Sequence, residues 1–131
     1  WELAAYTEFR TNNKDGYKFK KSYPYPTGEN TLGLNCLNDC NFNYSSKYSK
    51  FLLRGYGHVS TSSTKKGING LYDMGGNVWE WVDINDNSYK GTKGGSWWYG
   101  KNQMIQGYNA TKPKNMSAVY IGFRCVKDFK N

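Results

Sequence analysis

The chain has 131 residues, enough for one domain with its own core and too few for two. Its 18 basic and 10 acidic residues give a net charge of +8, yet the basic residues are lysines apart from Arg10, Arg54 and Arg124. Dispersed lysines without guanidinium clusters argue against specific nucleic-acid binding. No long apolar run exists, so the sequence offers no candidate transmembrane helix.

The first predicted element is an amphipathic helix over residues 1–10 that packs against a sheet. Its apolar residues recur at helical spacing and are Trp1, Ala4, Ala5 and Phe9. Frequent Asn, Gly and Pro residues over 11–31 then predict a long structured loop. Aromatic residues make up 18% of the chain, so rings are expected to supply much of the buried area.

Two of the three cysteines follow in a Cys-x-x-x-Cys segment, Cys36 and Cys40. This spacing is compatible with a small disulfide-closed loop or with two buried thiols. With His58 the pair falls one ligand short of a structural zinc site. Residues 44–66 predict further loop, with a brief strand or turn at Phe51–Leu53.

Two strands are predicted in the second half of the chain. The Gly75–Asn77 corner leads into an apolar run over 78–82, where alternation puts Trp79 and Trp81 on one face and Glu80 on the other. Residues 121–126 alternate in the same way. We expect the two strands to share a sheet.

Three blocks in this order carry a family resemblance: Gly70-Leu-Tyr-Asp-Met-Gly-Gly-Asn-Val-Trp-Glu-Trp81, Gly94-Gly-Ser-Trp97 and Ile121-Gly-Phe-Arg-Cys125. They resemble the formylglycine-generating enzyme (sulfatase-modifying factor) family, a branch of the C-type-lectin-like fold. The resemblance implies an α+β domain over 1–131 with short antiparallel strands, few helices and extensive loops. It also implies that the start of the chain matches the middle of a family helix, so that upstream elements are missing. The framework residues by this resemblance are Trp79, Trp81, Trp97, Arg124 and Cys125; in some members the cysteine matching Cys125 is disulfide-bonded to one further upstream.

The resemblance further implies one calcium site. Its ligands would be the backbone carbonyls of Gly75, Gly76 and Val78 and the side chain of Glu80, a hard-oxygen set suited to Ca²⁺. The alternative is a tight turn whose Glu80 is only hydrogen-bonded. A second family site would begin near Asn35, where the altered spacing leaves it open.

Catalytic members of the family hold Cu(I) between two cysteines shortly after the Gly-Gly-Ser block and oxidise a substrate cysteine. Here residues 97–104 contain no thiol. Met104 offers a thioether, which cannot replace a thiolate as nucleophile or redox group. The sequence therefore argues against copper and against the oxidase activity.

The segment 97–120 would cross the exposed face where family members meet their substrate. Rigid rings mixed with amides and lysines are typical of a recognition surface, although the rings could instead pack the core. The predicted ligand-binding residues are Trp98, Tyr99, Lys101, Asn102, Gln103, Gln106 and Tyr108. The favoured function is non-catalytic binding of a protein, peptide or glycan by a secreted or cell-envelope protein. The alternatives are a copper-dependent oxidase and a structural component of an envelope or secreted assembly.

Overall fold

The computed structural model describes residues 1–40, 57–84 and 88–127. It has α+β architecture, with one short α-helix, two 3₁₀ turns and one four-stranded sheet joined by extensive loops. The elements are α1 (Glu2–Tyr6), 3₁₀ turns at Ile68–Gly70 and Lys101–Gln103, and strands β1 (Trp79–Val82), β2 (Tyr89–Lys93), β3 (Ala110–Pro113) and β4 (Ile121–Gly122). None of the helices in these ranges is long enough and apolar enough to cross a membrane. The predicted element at Phe51–Leu53 lies outside the described residues.

The sheet has the strand order β3-β2-β1-β4. Trp79 on β1 pairs with Ile121 on β4, which confirms that the two predicted strands share a sheet. The expectation of antiparallel strands holds for β1 with β2 and β2 with β3, but it is wrong for β1 with β4, which are parallel. Because β3 runs in the same direction as β1, residues 114–120 must cross the sheet, and β4 then starts at the same end as β1.

Both predicted terminal elements are shorter than the sequence pattern suggested. The helix ends at Tyr6 because Thr7 adopts an extended backbone and forms a bridge with Ser22. Phe9, placed by the pattern on the buried helix face, is half exposed. β4 ends at Gly122, and Phe123 beyond it is largely exposed.

The two faces of the sheet differ in their cover. Strand alternation puts Glu80 and Lys93 on the face against α1, where Trp1 and Glu2 bond to them. The opposite face carries Trp79, Thr92 and Lys112, and we call it the aromatic face.

The buried core consists of two small clusters and a set of buried rings. One cluster joins Leu34, Cys36, Cys40 and Met104 beneath Tyr25. The other joins Ala5, Tyr6 and Met74, with Trp1, Ala4 and Leu71 packed against them. Trp79 and Trp97 are the largest fully buried side chains in the described ranges, as a ring-rich core requires.

Candidate functional site

The glycine corner at 75–77 packs against the Gly-Gly-Ser block at 94–96, and together they fix the start of β1. The N–H of Gly76 donates to the carbonyl of Gly94 at 2.7 Å, and the N–H of Asn77 donates to the carbonyl of Asn35 at 2.7 Å. Gly76 has φ +71°, and a Cβ there would lie 2.3 Å from the Asn35 carbonyl oxygen, so only glycine fits. The carbonyl of Asn77 accepts the N–H of Trp97 at 2.9 Å. The corner therefore brings β1 and the segment after Gly-Gly-Ser together.

Glu80 is the centre of a buried charge network on the helix-covered face. Arg124 donates to both of its carboxylate oxygens, from Nε at 2.7 Å and from Nη2 at 2.6 Å. The indole Nε1 of Trp1 donates to the same carboxylate at 2.6 Å. Arg124 also donates to the carbonyl of Tyr72 at 2.9 Å. Three chain segments that are distant in sequence are thus joined at one side chain that is only 4% exposed.

One of the predicted calcium ligands, Glu80, already accepts hydrogen bonds in this network. A carboxylate has about four acceptor positions, and on Glu80 the N–H donors of Arg124 and Trp1 take two on Oε2 and one on Oε1. A calcium ion could therefore share Glu80 only through Oε1, beside a guanidinium that already balances its charge. The set of Gly75, Gly76, Val78 and Glu80 stays a prediction. Within the described ranges no three His, Cys, Asp or Glu side chains cluster, whereas the predicted set needs one carboxylate and three backbone carbonyls. At the second family site, which the sequence left open, the Asn35 carbonyl oxygen already accepts the N–H of Asn77.

Cys36 and Cys40 form a disulfide, the first of the two arrangements that the sequence left open. A disulfide offers no thiolate, so the bridged pair cannot bind zinc together with the exposed His58. The bridge packs against Met104 in the core. Cys125 is an exposed free thiol beyond β4, in a groove that Trp81 also lines.

The disulfide-closed loop supports the segment that follows Gly-Gly-Ser. The N–H of Leu37 donates to the carbonyl of Tyr99 at 2.9 Å, and the carboxylate of Asp39 accepts the N–H of Lys101 at 3.1 Å. The loop therefore holds the start of the predicted ligand-binding segment in place.

The donor chemistry of that segment does not fit a copper ion held by two thiolates. The side chains that follow Gly-Gly-Ser are rings, and the sulfur of the segment belongs to Met104, which is fully buried against the disulfide. A thioether is a soft ligand but remains neutral and cannot act as a nucleophilic thiolate. No chemical step is therefore assigned to copper.

Rings surround Trp79 on the aromatic face. Tyr99 meets Trp79 edge to face with ring centroids 5.3 Å apart, and Tyr108 lies 6.3 Å away at a tilted angle. Tyr120, in the crossing segment, contacts Tyr99 at 5.8 Å and Trp98 at 5.7 Å. We call these five side chains the aromatic cluster. Such ring pairs each add about 0.5–1.5 kcal/mol beyond area burial.

Lys112 places its ammonium over this cluster. Its Nζ lies 5.1 Å from the ring centroid of Trp79 and 5.8 Å from that of Tyr99. Burial lowers the pKa of Lys112. Neither Lys112 nor Tyr120 was predicted from the sequence. The available signal was the strand register, because Lys112 follows Ala110 by two residues and so shares its face.

The predicted ligand-binding residues lie on one excursion of the chain from the aromatic face. Tyr99 and Tyr108 both contact Trp79, so residues 100–107 leave the cluster and return to it. Of the predicted set, Lys101, Asn102, Gln106 and Tyr108 are exposed, whereas Trp98, Tyr99 and Gln103 are partly buried. The segment is not exposed throughout, because Trp97 and Met104 have no accessible surface.

Comparison with known proteins places the chain in a family. The family model described as a sulfatase-modifying factor enzyme 1-like domain matches residues 1–129. A search of curated proteins found no match. The matched range contains the glycine corner, the Glu80 network and the aromatic face. The chain therefore belongs to the family of sulfatase-modifying factor enzyme 1-like domains.

Proposed function

We propose that this chain is a non-catalytic member of its family that binds a ligand through the aromatic face. The observation that carries the proposal is the cluster around Trp79, with partly exposed rings at its edge and the ammonium of Lys112 above it. Tyr108 retains 38% of its surface in contact with solvent although it packs on a fully buried tryptophan. A ring fixed on one side and exposed on the other offers contact area at little entropic cost.

The amides of residues 100–107 support the same function. Asn102 and Gln106 are exposed, and the segment that carries them is held at both ends by Tyr99 and Tyr108. The N–H of Gln106 donates to the carbonyl of Pro24 at 2.8 Å, so the backbone is fixed there as well. Amide side chains on a fixed backbone can bond to a ligand without a large ordering cost.

Binding is preferred over oxidation because of the side chains themselves. The family's copper chemistry requires a thiolate pair, and the segment after Gly-Gly-Ser supplies rings and one buried thioether. Cys36 and Cys40 are joined to each other. Any oxidase activity would need a different set of soft ligands.

The same proposal includes the domain type, a metal ion and the location of the protein. We infer a single C-type-lectin-like domain over 1–131 and one calcium ion at Gly75, Gly76, Val78 and Glu80, both from the family resemblance. We also infer a secreted or cell-envelope location. The Cys36–Cys40 disulfide supports that location, because such bridges persist in oxidising compartments.

The test is to probe the labelled chain on arrays of glycans and of peptides. Binding should be lost in Tyr108→Ala and in Trp98→Ala, with thermal melting used to show that each variant folds. Phe19→Ala is the matched control, because this ring is also about half exposed but lies in the loop before the sheet. Capture that survives both substitutions would move the site elsewhere.

A second assay separates binder from enzyme. Oxygen uptake is measured with copper and a cysteine-containing peptide, and no turnover is expected. Copper-dependent oxidation of the peptide by the parent chain would overturn the proposal.

A further inference from the structure

The charge on Lys112 has no counterion in the described part of the chain. Of the ten acidic residues, all except Asp86 and Asp128 lie in that part. Each of these eight carboxylates bonds to a group other than Lys112. The eight are Glu2, Glu8, Asp15, Glu29, Asp39, Asp73, Glu80 and Asp83. The segment 41–56 contains no acidic residue at all.

Lys112 also differs from the other lysines of the described ranges in its surroundings. Removal from water disfavours an ammonium, and desolvation lowers the pKa of Lys112. Its ammonium lies over the faces of Trp79 and Tyr99, whose ring electrons attract a cation but carry no negative charge to neutralise it. Lys93, which is more deeply buried than the partly buried Lys112, instead bonds to Glu2, Asn109 and the carbonyl of Tyr108.

Two further polar groups on the same face have no hydrogen-bond partner in the described structure. They are Nε1 of Trp79 and Oγ1 of Thr92, on side chains that are 1% and 0% exposed. The sheet register puts both groups on the face that holds Lys112. The indole N–H can only donate, and the hydroxyl can donate or accept. The face therefore carries one partly buried cation and two buried polar groups without partners in the described ranges, and an anionic acceptor would complement the cation.

The exposed side chains around the aromatic face favour a sugar over a peptide as the ligand that carries the anionic acceptor. Exposed tyrosine and amide side chains suit the apolar faces and the hydroxyls of a saccharide. An extended peptide would instead add to β3, an outer strand of the described sheet, but Pro113 ends that strand and cannot donate to a ladder.

We propose that the aromatic face binds an acidic saccharide, a sugar uronate or sugar sulfate, with its anionic group at the ammonium of Lys112 and its ring against Tyr108. This rests on the proposed function and names its ligand class. On binding, the anion pairs with the ammonium of Lys112, for which the described ranges offer no carboxylate partner.

Calorimetric titration of the chain with defined probes tests the proposal. The probes are an oligogalacturonate, its methyl ester, a sulfated oligosaccharide, a neutral galactose oligomer and a glutamate hexapeptide. At an ionic strength of about 0.15 M, where surface charges are screened beyond about 8 Å, the two acidic saccharides should bind. The methyl ester and the neutral oligomer should bind at least about tenfold more weakly, the loss expected for one charge-assisted hydrogen bond.

Variants separate Lys112 from the general positive charge. Lys112→Gln should weaken the acidic saccharide about tenfold or more, the equivalent of one lost ion pair, and Lys112→Arg should restore much of it. Lys114→Gln removes the same charge from an exposed site two residues away and should change affinity less than about twofold, because ion pairs with fully hydrated surface charges are weak.

The outcomes are distinct. Equal losses in Lys112→Gln and Lys114→Gln, or equal binding of the neutral oligomer, overturn the acidic-saccharide assignment. Preference for the glutamate peptide overturns it in favour of a peptide ligand. In each of these cases, loss of binding in Tyr108→Ala still supports the proposed function. Binding of the acidic sugar that is insensitive to Tyr108→Ala contradicts both proposals. If Lys112→Gln does not fold, the affinities of the parent chain for the acid and for its ester still decide between the outcomes.

Discussion

Replacing Arg124 by Met should be among the most damaging single changes on the helix-covered face. It removes two donors from Glu80 and leaves a carboxylate that is 4% exposed with the indole N–H of Trp1 as its remaining donor in the described structure. Breaking a buried ion pair from one side typically costs about 3–5 kcal/mol, because the other charge stays buried. We expect a loss in that range in the free energy of unfolding.

Removing the charge of the other partner, Glu80, should lower the free energy of unfolding by less. Glu80→Gln leaves a guanidinium whose side chain is 30% exposed, so water and the carbonyl of Tyr72 can still solvate it. We expect a loss of about 1.5–3 kcal/mol, the value of hydrogen bonds to a charged group. Lys90→Met is the control: it breaks the pair with Asp83, which is 88% exposed, and should leave stability unchanged.

The assay is urea unfolding at pH 7, in chelator and in millimolar calcium. Losses below about 1 kcal/mol in both variants, the range of surface pairs, would refute the reasoning that the pair is structural. The calcium arm separates ion pair from ion. If calcium stabilises the parent and Arg124→Met but not Glu80→Gln, Glu80 is a calcium ligand. If calcium stabilises none of them, the predicted calcium site is wrong.

Three further predictions concern the loop, the acid limit and the corner. Replacing Cys36 and Cys40 by Ser should cost about 2 kcal/mol by loop-closure entropy and weaken ligand binding, measured by urea unfolding and array signal; unchanged binding would show that the loop does not support the segment. The side-chain hydrogen bond from Arg10 lowers the pKa of Glu8 below its ordinary 4.5. The ionised carboxylate therefore stabilises the fold above pH 4.5, and this contribution is lost as the pH falls through the lower pKa of the folded state. Glu8→Gln should flatten that acid limb in melts at stepped pH, and an unchanged limb contradicts this. Gly76→Ala should cost clearly more than Gly107→Ala in urea unfolding, since both have positive φ but a Cβ at Gly107 meets nothing within 4 Å; equal costs would show that the backbone can move aside.

Local pattern predicted those parts of the fold that depend on local chemistry. The corner and β1 followed from two glycines and alternating apolar residues, and Trp79 was found fully buried on one face. The parallel direction of β4 was not predictable in this way, because it depends on how residues 114–120 cross the sheet. The pairing of Glu80 with Arg124 spans 44 positions and has no local signal.

Lys112 was missed for a related reason. Lysine is among the residues most often exposed, so nothing in the local sequence marks this one as lying over rings. Its position follows only when β2 and β3 are paired, which puts Lys112 opposite Lys90 on the aromatic face. Tyr120 likewise reaches the cluster through the crossing segment rather than through its neighbours in sequence.

The two faces of the sheet differ in how their charged side chains are paired, and this difference favours a role in recognition for the aromatic face. On the helix-covered face, Glu80 and Lys93 have partners for their charges. On the aromatic face, Lys112 has rings but no described carboxylate, and two buried polar atoms have no protein partner in the described structure. Both charges on the helix-covered face have partners. An acidic residue in place of Lys90, opposite Lys112, would have given the aromatic face a partner of the same kind. Unsatisfied polar groups in an otherwise consistent fold are expected where a ligand completes the site.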